Sequence, residues 1–518
     1  MDAVATPKAG RRDWIGLAVI ALPCLLYSMD LTVLNLAVPH ITADLQPSSS
    51  QLLWIVDIYG FVLAGFLITM GTLGDRIGRR RLLLAGAAAF GVASVLAAFS
   101  TSAEMLIGTR AILGVAGATL APSTLSLIRN MFLDQRQRTV AIGVWGASFS
   151  AGAAVGPLVG GILLQHFWWG SAFLVAVPVM VLLLVLGPVL LPEFRGPNAG
   201  HLDLLSAAMS LIAVLAVIYG LTQTAEIGFG WPPGLSVAAG LAVGVAFVRR
   251  QRTLADPLID LRLFRVPAFD VAIAANILAI FTAVGAFLFI SQYLQLVLGF
   301  SPLQAGLWTL PWAGALIAGS MLAPVIVRRV RAASALVVGL SIEAAGFVIF
   351  TQVDGDASRA VFVAMSVVIG FGVAVAVILS TDLIVGTAPP ERAGAASSIS
   401  ETSTELGGAL GIAILGSIGA AVYRADLNGA MPQGVPEEAA VAARDTLGGA
   451  VAVSGHLPGP MGGDLLDAAQ HAFTNGLQLV AMVSAIVLAG LAIAAVLLLR
   501  DRGLAETETR SDQAFDAV

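Results

Sequence analysis

Charge is what this chain has least of. Only 11% of its residues are Asp, Glu, Lys or Arg, where a soluble chain carries about 25%. That excludes a soluble multidomain protein. Cysteine is almost missing as well: Cys24 is the single one, so disulfides cannot organise the fold. It sits inside an apolar run and reads as a small buried residue. Lysine is limited to Lys8 among 27 basic residues, a bias toward Arg that, with abundant Ala, suggests a GC-rich bacterial genome. The five histidines, His40, His166, His201, His456 and His471, fall in loops or at the ends of apolar runs. With no Cys/His cluster and no nucleophile–base constellation, neither a metal site nor an enzyme is expected. A cleaved signal peptide is not expected either, because the first apolar run is too long and ends without a small-residue cleavage pattern.

Apolar length is what the chain has in abundance. Apolar residues make up 58% of it, and runs of roughly twenty residues, each able to cross a bilayer core, follow one another throughout. The chain reads as an all-α polytopic membrane protein with fourteen spans: about 14–38, 51–70, 82–100, 104–128, 139–164, 169–191, 204–222, 233–249, 269–296, 304–327, 334–352, 359–387, 395–422 and 472–499. On this count Lys8, Arg11, Arg12, Arg76, Arg79–Arg81, Arg129, Arg136, Arg138 and most later arginines share one face. Only Arg359, Arg424 and Arg444 fall on the other, and Arg110 lies within span 4. The positive-inside rule makes the arginine-rich face, with both termini, cytoplasmic. Two segments interrupt the pattern. Residues 249–268 form a charged connector with Pro257 and Pro267, a seam between halves. Residues 423–471 form an external insertion that reads as a spacer, in which Glu437–Leu447 has the pattern of a short amphipathic hairpin. The polar tail after Arg502 is expected to be disordered.

An ionised side chain near the bilayer centre costs ~2.5–3.5 kcal/mol on insertion scales, so such residues mark function. The exceptions here are Asp30, Asp57, Arg110, Glu343, Asp382, Glu401 and Glu405. At ~1.5 Å per residue, Asp30, Asp57 and Arg110 lie about 10–13 Å from the external surface, where antiparallel spans can gather them into one cluster. Two acids and one base leave a carboxylate uncompensated. Glu401 and Glu405, spaced i,i+4, share one face of span 13 about 9–15 Å from the cytoplasmic end. Their repulsion favours a proton on one of them near neutral pH, and bare they attract a cation. Asp382, near the cytoplasmic end of span 12, is placed to join them. Glu343 is an isolated acid in span 11 with no assigned role.

Glycines mark two further places. In span 5, Gly152, Gly156, Gly160 and Gly161 surround Pro157 and lay a flat stripe for close helix approach. Between spans 2 and 3, Gly71-Thr-Leu-Gly74-Asp75-Arg76-Ile-Gly78-Arg79-Arg80-Arg81 forms a tight charged hairpin. No strand precedes it, so a phosphate-binding or nucleic-acid reading is rejected. Its three glycines permit a sharp turn, and Asp75 is suited to cap a helix N-terminus.

Together these residues resemble the major facilitator superfamily. The hairpin resembles its signature between helices 2 and 3, Arg110 with Gly114 and Gly117 its helix 4 motif, and Gly156-Pro157…Gly160-Gly161 the helix 5 motif of antiporters. Met29–Pro39 and Trp54–Ala64 are similar to helices 1 and 2 of the fourteen-helix drug:proton antiporter branch, and Ser400–Gly407 resembles the acidic helix 13 of its quaternary-ammonium and multidrug exporters. The resemblance implies two six-helix bundles, 14–191 and 269–499, with two inserted helices within 204–249, a cytoplasmic N-terminus at 1–13 and a tail at 500–518. It implies alternating access and export of lipophilic cationic drugs from a bacterial plasma membrane, driven by protons with no cofactor, by a lipid-embedded monomer. Carried over by position, Asp30, Asp57, Glu401 and Glu405 become the proton and substrate acids, and the hairpin becomes a latch on the start of span 13, Pro390–Gly394. Trp145, Phe149, Tyr293, Trp308 and Trp312 are candidates for cation–π contact with a drug. Some relatives carry a further acid in helix 10. Span 10 (Leu310–Pro324) has none, a departure that bears on affinity for divalent cations. The alternative within the same fold is a dedicated exporter of one natural product.

Overall fold

The computed structural model describes residues 8–193, 203–227, 230–254, 257, 261, 263–327, 329–353, 359–387 and 393–515. Apolar helices dominate because a bilayer offers no partner for backbone N–H and C=O groups, which a helix satisfies internally. Thirteen stretches among the described residues are long and apolar enough to cross a membrane. The fourteenth span, the helix Gln135–His166, has the length, but its apolar content is divided into Val140–Phe149 and Val155–His166.

The spans in chain order are span 1 (Arg11–Leu45), span 2 (Ser49–Ile77), span 3 (Arg79–Ala98), span 4 (Ala103–Gly117 and Leu120–Met131), span 5 (Gln135–His166) and span 6 (Ser171–Leu174 and Ala176–Leu190). Span 7 (Leu204–Ile227), span 8 (Trp231–Thr253), span 9 (Pro267–Gln292 with a π turn, Tyr293–Val297) and span 10 (Pro302–Trp308 and Leu310–Ile326) follow. Span 11 (Ala332–Phe350), span 12 (Arg359–Thr387), span 13 (Ala393–Ala430) and span 14 (Met461–Phe515) complete them. Side chains cap several starts. Ser48 accepts from the Gln51 amide and Ser301 from that of Gln304, each in a reciprocal capping box. Asp134 accepts from Gln137 N at 3.0 Å at the start of span 5.

Two expectations are corrected. The helix of span 14 continues to Phe515 rather than ending in a structureless tail. The insertion is no mere spacer: Glu437–Asp445 and Leu447–Ser454 are helices, joined to the spans through Tyr423, which donates to Ala443 O at 2.7 Å, and Ser49, which donates to Asp445 O. Four apolar residues of these two helices, Ala440, Ala443, Leu447 and Ala450, account for the difference: all are buried, so the segment has a hydrophobic face of its own to hide.

The chain divides into two compact units. Unit 1 comprises Met1–Leu258, Phe287–Leu310 and Ile412–Gly476; unit 2 comprises Ile259–Ala286, Pro311–Gly411 and Leu477–Val518. The first boundary lies inside the charged connector. In unit 1, span 2 is a core helix with 78% of its apolar window buried, whereas span 8 is peripheral at 17%. The inserted spans 7 and 8 pack on each other, where Gly240 and Gly220 allow close backbone approach, and span 7 reaches span 2 through Leu211 at Gly65. On the face opposite the arginines, Ser291 and Gln295 of span 9 donate to Asn35 O (2.9 Å) and Leu36 O (3.1 Å) of span 1. Gly161 of span 5 meets Pro302 and Leu303 of span 10. That end of unit 1 is therefore closed.

Candidate functional site

Unit 1 is built around Arg110, the largest fully buried side chain. Span 4 directs it into the interior, where its guanidinium pairs with Asp30 of span 1 at 2.5 Å. It donates to Ile55 O at 3.2 Å and to Val56 O at 3.5 Å of span 2. The ring of Tyr59 lies 4.7 Å from the guanidinium carbon and that of Phe173 5.9 Å. Five donors in a rigid fork allow one side chain to serve a carboxylate and two carbonyls at once. Asp57, on the same turn as Val56, is 2% exposed and within Coulombic reach of Arg110. Neither of its carboxyl oxygens has a hydrogen-bond partner. The expected cluster of one base and two acids thus divides unequally: Asp30 takes the ion pair and Asp57 remains buried beside it.

An aromatic string runs from this cluster. Tyr59 is 6.3 Å from Tyr27, Tyr27 is 5.5 Å from Phe149, and Phe149 is 4.9 Å from Trp145. Trp145 Nε1 donates to Thr124 Oγ1 at 3.0 Å. Of the five aromatics named from sequence, Trp145 and Phe149 are in this string. Tyr293 is buried in the π turn, Trp308 stacks with Phe300 at 5.7 Å, and Trp312 belongs to unit 2. Tyr27 and Tyr59 were missed by the sequence reading. Their signal was available: each lies three residues or fewer from an intramembrane acid.

The glycine stripe explains why span 1 is held so close. A Cβ on Gly152 would stand 2.1 Å from Leu25 O, and one on Gly156 2.1 Å from Thr32 Oγ1; Gly160 faces Val33. Span 1 therefore lies against span 5 over the turns that carry Asp30. Pro157 works on another face, its carbonyl 2.4 Å from a Cβ built on Gly306.

The hairpin is sharper than its three glycines imply. Span 2 runs through Gly71 and Gly74 to Ile77, and the whole turn falls on Gly78, whose φ is +112°, a value open to glycine at no steric cost. Gly74 instead gives room to the Arg79 side chain. Arg79 is buried and donates to Pro122 O at 3.4 Å, while Arg76 is exposed. Arg80 donates to Pro188 O and Leu191 O, and with Arg81 approaches Glu193 at 3.6 and 3.7 Å. Glu193, past the end of span 6, is a partner the sequence reading did not name. The latch expected between Asp75 and Pro390–Gly394 lies outside the described residues, because the Asp75 side chain and those of this segment are not among them.

In unit 2, Glu401 and Glu405 are half-buried on span 13. Asn276 of span 9 holds the turn that bears them: its Nδ2 lies 3.2 Å from Ser400 O, 2.7 Å from Ser403 Oγ and 2.8 Å from Thr404 Oγ1. Gly407 and Gly411 set span 13 directly on the backbone of Ile277 and Phe281. Thr381 of span 12 is 3.2 Å from Ser400 Oγ. Asp382 is the next residue, and its side chain is exposed.

The sequence comparison decides which kind of membrane protein carries these features: residues 20–412 match the Major Facilitator Superfamily. The chain belongs to the major facilitator superfamily. This superfamily member is 46% identical over 493 residues, 95% of the chain and 97% of the relative, to "Multidrug efflux pump LfrA" of Mycolicibacterium smegmatis. It is 37% identical to "Methyl viologen resistance protein SmvA" of Salmonella typhimurium (89% and 93% covered), and 32% identical to "Tetracenomycin C resistance and export protein" of Streptomyces glaucescens (98% and 96%). Among solved structures, an inward-facing, unoccupied bacterial homolog of the human lysosomal transporter Spinster superposes with a TM-score of 0.68 over 95% of the chain and 99% of its own length. At 17% identity that likeness concerns the fold. As a major facilitator the protein is a multi-pass membrane transporter.

Proposed function

We propose that the protein exports lipophilic cationic drugs across a bacterial plasma membrane in exchange for protons. The hairpin and both termini face the cytoplasm, by the positive-inside rule. The observation that carries this reading is Asp57: a 2% exposed carboxyl with no hydrogen-bond partner, beside an arginine already committed to Asp30. An uncompensated buried carboxylate is costly, and either a proton or a cationic drug relieves the cost. The two therefore compete, as an antiporter requires. Glu401 and Glu405 are a second pair of candidate acids in unit 2, and Tyr27, Phe149 and Trp145 supply aromatic faces for a flat cation. The names of the relatives, a multidrug efflux pump and a methyl viologen resistance protein, support the substrate class. The closed outer end of unit 1 suits alternating access, in which one face is shut while the other exchanges solute.

Everted vesicles energised to quench a pH-sensitive dye are expected to recover fluorescence when ethidium or a quaternary amine is added. If Glu401→Gln and Asp57→Asn both leave that recovery intact, the acids are wrongly assigned. A second reading, export of one natural product, draws on the likeness to the tetracenomycin C and puromycin resistance proteins. A resistance panel separates them: protection against many unrelated cations favours multidrug export, and protection against one compound favours the second reading.

A further inference from the structure

One buried acid has no part in the scheme above. Glu343 is 0% exposed near the middle of span 11. Its Oε1 lies 2.7 Å from Thr282 Oγ1 of span 9, and its Oε2 has no hydrogen-bond partner. A Cβ on Gly372 of span 12 would come within 2.5 Å of the Glu343 backbone, so spans 11 and 12 touch directly at this level.

The hydrogen bonds of Thr282 give the pair two distinct states. Thr282 Oγ1 is also 3.0 Å from Leu278 O and 3.1 Å from Ala279 O. A hydroxyl has one proton, which serves one acceptor at full strength. If Glu343 is ionised, Thr282 must turn that proton to the carboxylate and give up its own helix carbonyls, while Oε2 stays buried and bare. If Glu343 is neutral, its hydroxyl donates to Thr282, which then donates on to Leu278 or Ala279. Every proton is then used, and the only unfilled position is a neutral carbonyl oxygen, the least costly kind.

Among the described residues, no fixed charge takes the place of that proton. The charged residues of the surrounding helices are Asp270 on span 9, Arg331 before span 11, and Arg359 and Asp382 on span 12. Each is ten to thirteen residues from Thr282, Glu343 or Gly372, or about 15–20 Å along its helix. Span 14, whose Gln478 donates to Val353 O just past span 11, has no charged residue between Asp467 and Arg500 and one further titratable group, His471. Glu401 and Glu405 lie on span 13, which packs on span 9 from Asn276 to Phe281; they are ten and six residues from Gly411, which meets Phe281 beside Thr282, or about 9–15 Å along the helix.

We propose that Glu343 is a further proton-binding site, closed in this conformation, whose proton is released and regained as span 9 moves against span 11. Thr282 is its switching partner. This rests on the proton-exchange reading for its use, but the site itself is tested apart from transport. In lipid-reconstituted full-length protein, adding ethidium at alkaline pH is expected to remove a carboxylic-acid C=O band from the infrared difference spectrum and produce a carboxylate band. The Glu343 component of both is lost in Glu343→Gln, which leaves the bands of Asp57 and Glu401, while Thr282→Val keeps that component and shifts its frequency. A derivative-shaped C=O signal with no carboxylate band would mean a permanently neutral acid and overturns the proposal, as do difference bands unchanged in Glu343→Gln. Should Glu343→Gln fail to fold, Thr282→Val decides, because bands of wild-type frequency in that variant also overturn it. Wild-type protein without dye recovery overturns the exchange reading and leaves the infrared assignment standing.

Discussion

The two units hold their intramembrane acids in opposite ways. In unit 1 a base is built in: Arg110 neutralises Asp30 and fills its remaining donors with span 2 carbonyls and the face of Tyr59. In unit 2 the turn around Glu401 is held by an amide and hydroxyls, with no Lys or Arg between Ile399 and Gly411. Arg110 ties three spans together through Asp30 and the span 2 carbonyls, whereas Asn276 holds the turn that carries Glu401. Removing Arg110 should therefore cost mainly stability, whereas loosening the turn of Glu401 should also cost transport.

The sharpest test is Arg110→Ala. It leaves Asp30 without its base and two span 2 carbonyls without donors, and removing one partner of a buried pair costs about 3–5 kcal/mol. Thermal unfolding in detergent should show a large drop, with Arg110→Lys recovering only part because an ammonium cannot reproduce the fork. A loss under about 1 kcal/mol, the range of a solvated ion pair, would break the contrast. Asn276→Ala is the matched test in unit 2. Loss of its bonds to Ser403 and Thr404 should cost about 1–3 kcal/mol and also lower ethidium affinity several-fold, read by fluorescence titration across pH. An unfolding shift with unchanged affinity at every pH would make Asn276 a packing residue only. The smallest expected effect is Trp145→Leu, at the far end of the aromatic string. Losing one cation–π face is worth about 0.5–1 kcal/mol, a two- to five-fold weaker Kd for ethidium, with proton coupling unchanged.

Much of this was legible before any coordinates. Low charge, apolar runs and the one-sided arginines suffice for fourteen helices, since the bilayer imposes length and internal hydrogen bonding on every span. Asp30, Asp57, Arg110, Glu401 and Glu405 stood out because charge is costly in lipid. Less legible were residues whose role depends on a distant neighbour. Glu193 reads as an ordinary loop acid until Arg80 and Arg81 reach it. Asn276 looks like one polar residue in an apolar helix until Gly407 and Gly411 bring span 13 against it.

The insertion shows the same limit. Its prolines and alanines suggest a spacer, and only its buried face against spans 1 and 2 explains two ordered helices. The hairpin shows it in miniature, because three glycines permit a turn and φ alone selects Gly78.

What the sequence determined by itself is which residues are out of place in a membrane, because that is a one-body cost set by residue and depth. What only the tertiary structure decided is which of them have a partner. Asp30 and Asp57 are equivalent in the sequence and differ in the fold, since an arginine in a packed interior can form its close ion pair with one acid while its other donors are held by the backbone. That choice depends on how span 1 sits against its neighbours, which the glycines of span 5 set together and no single residue encodes.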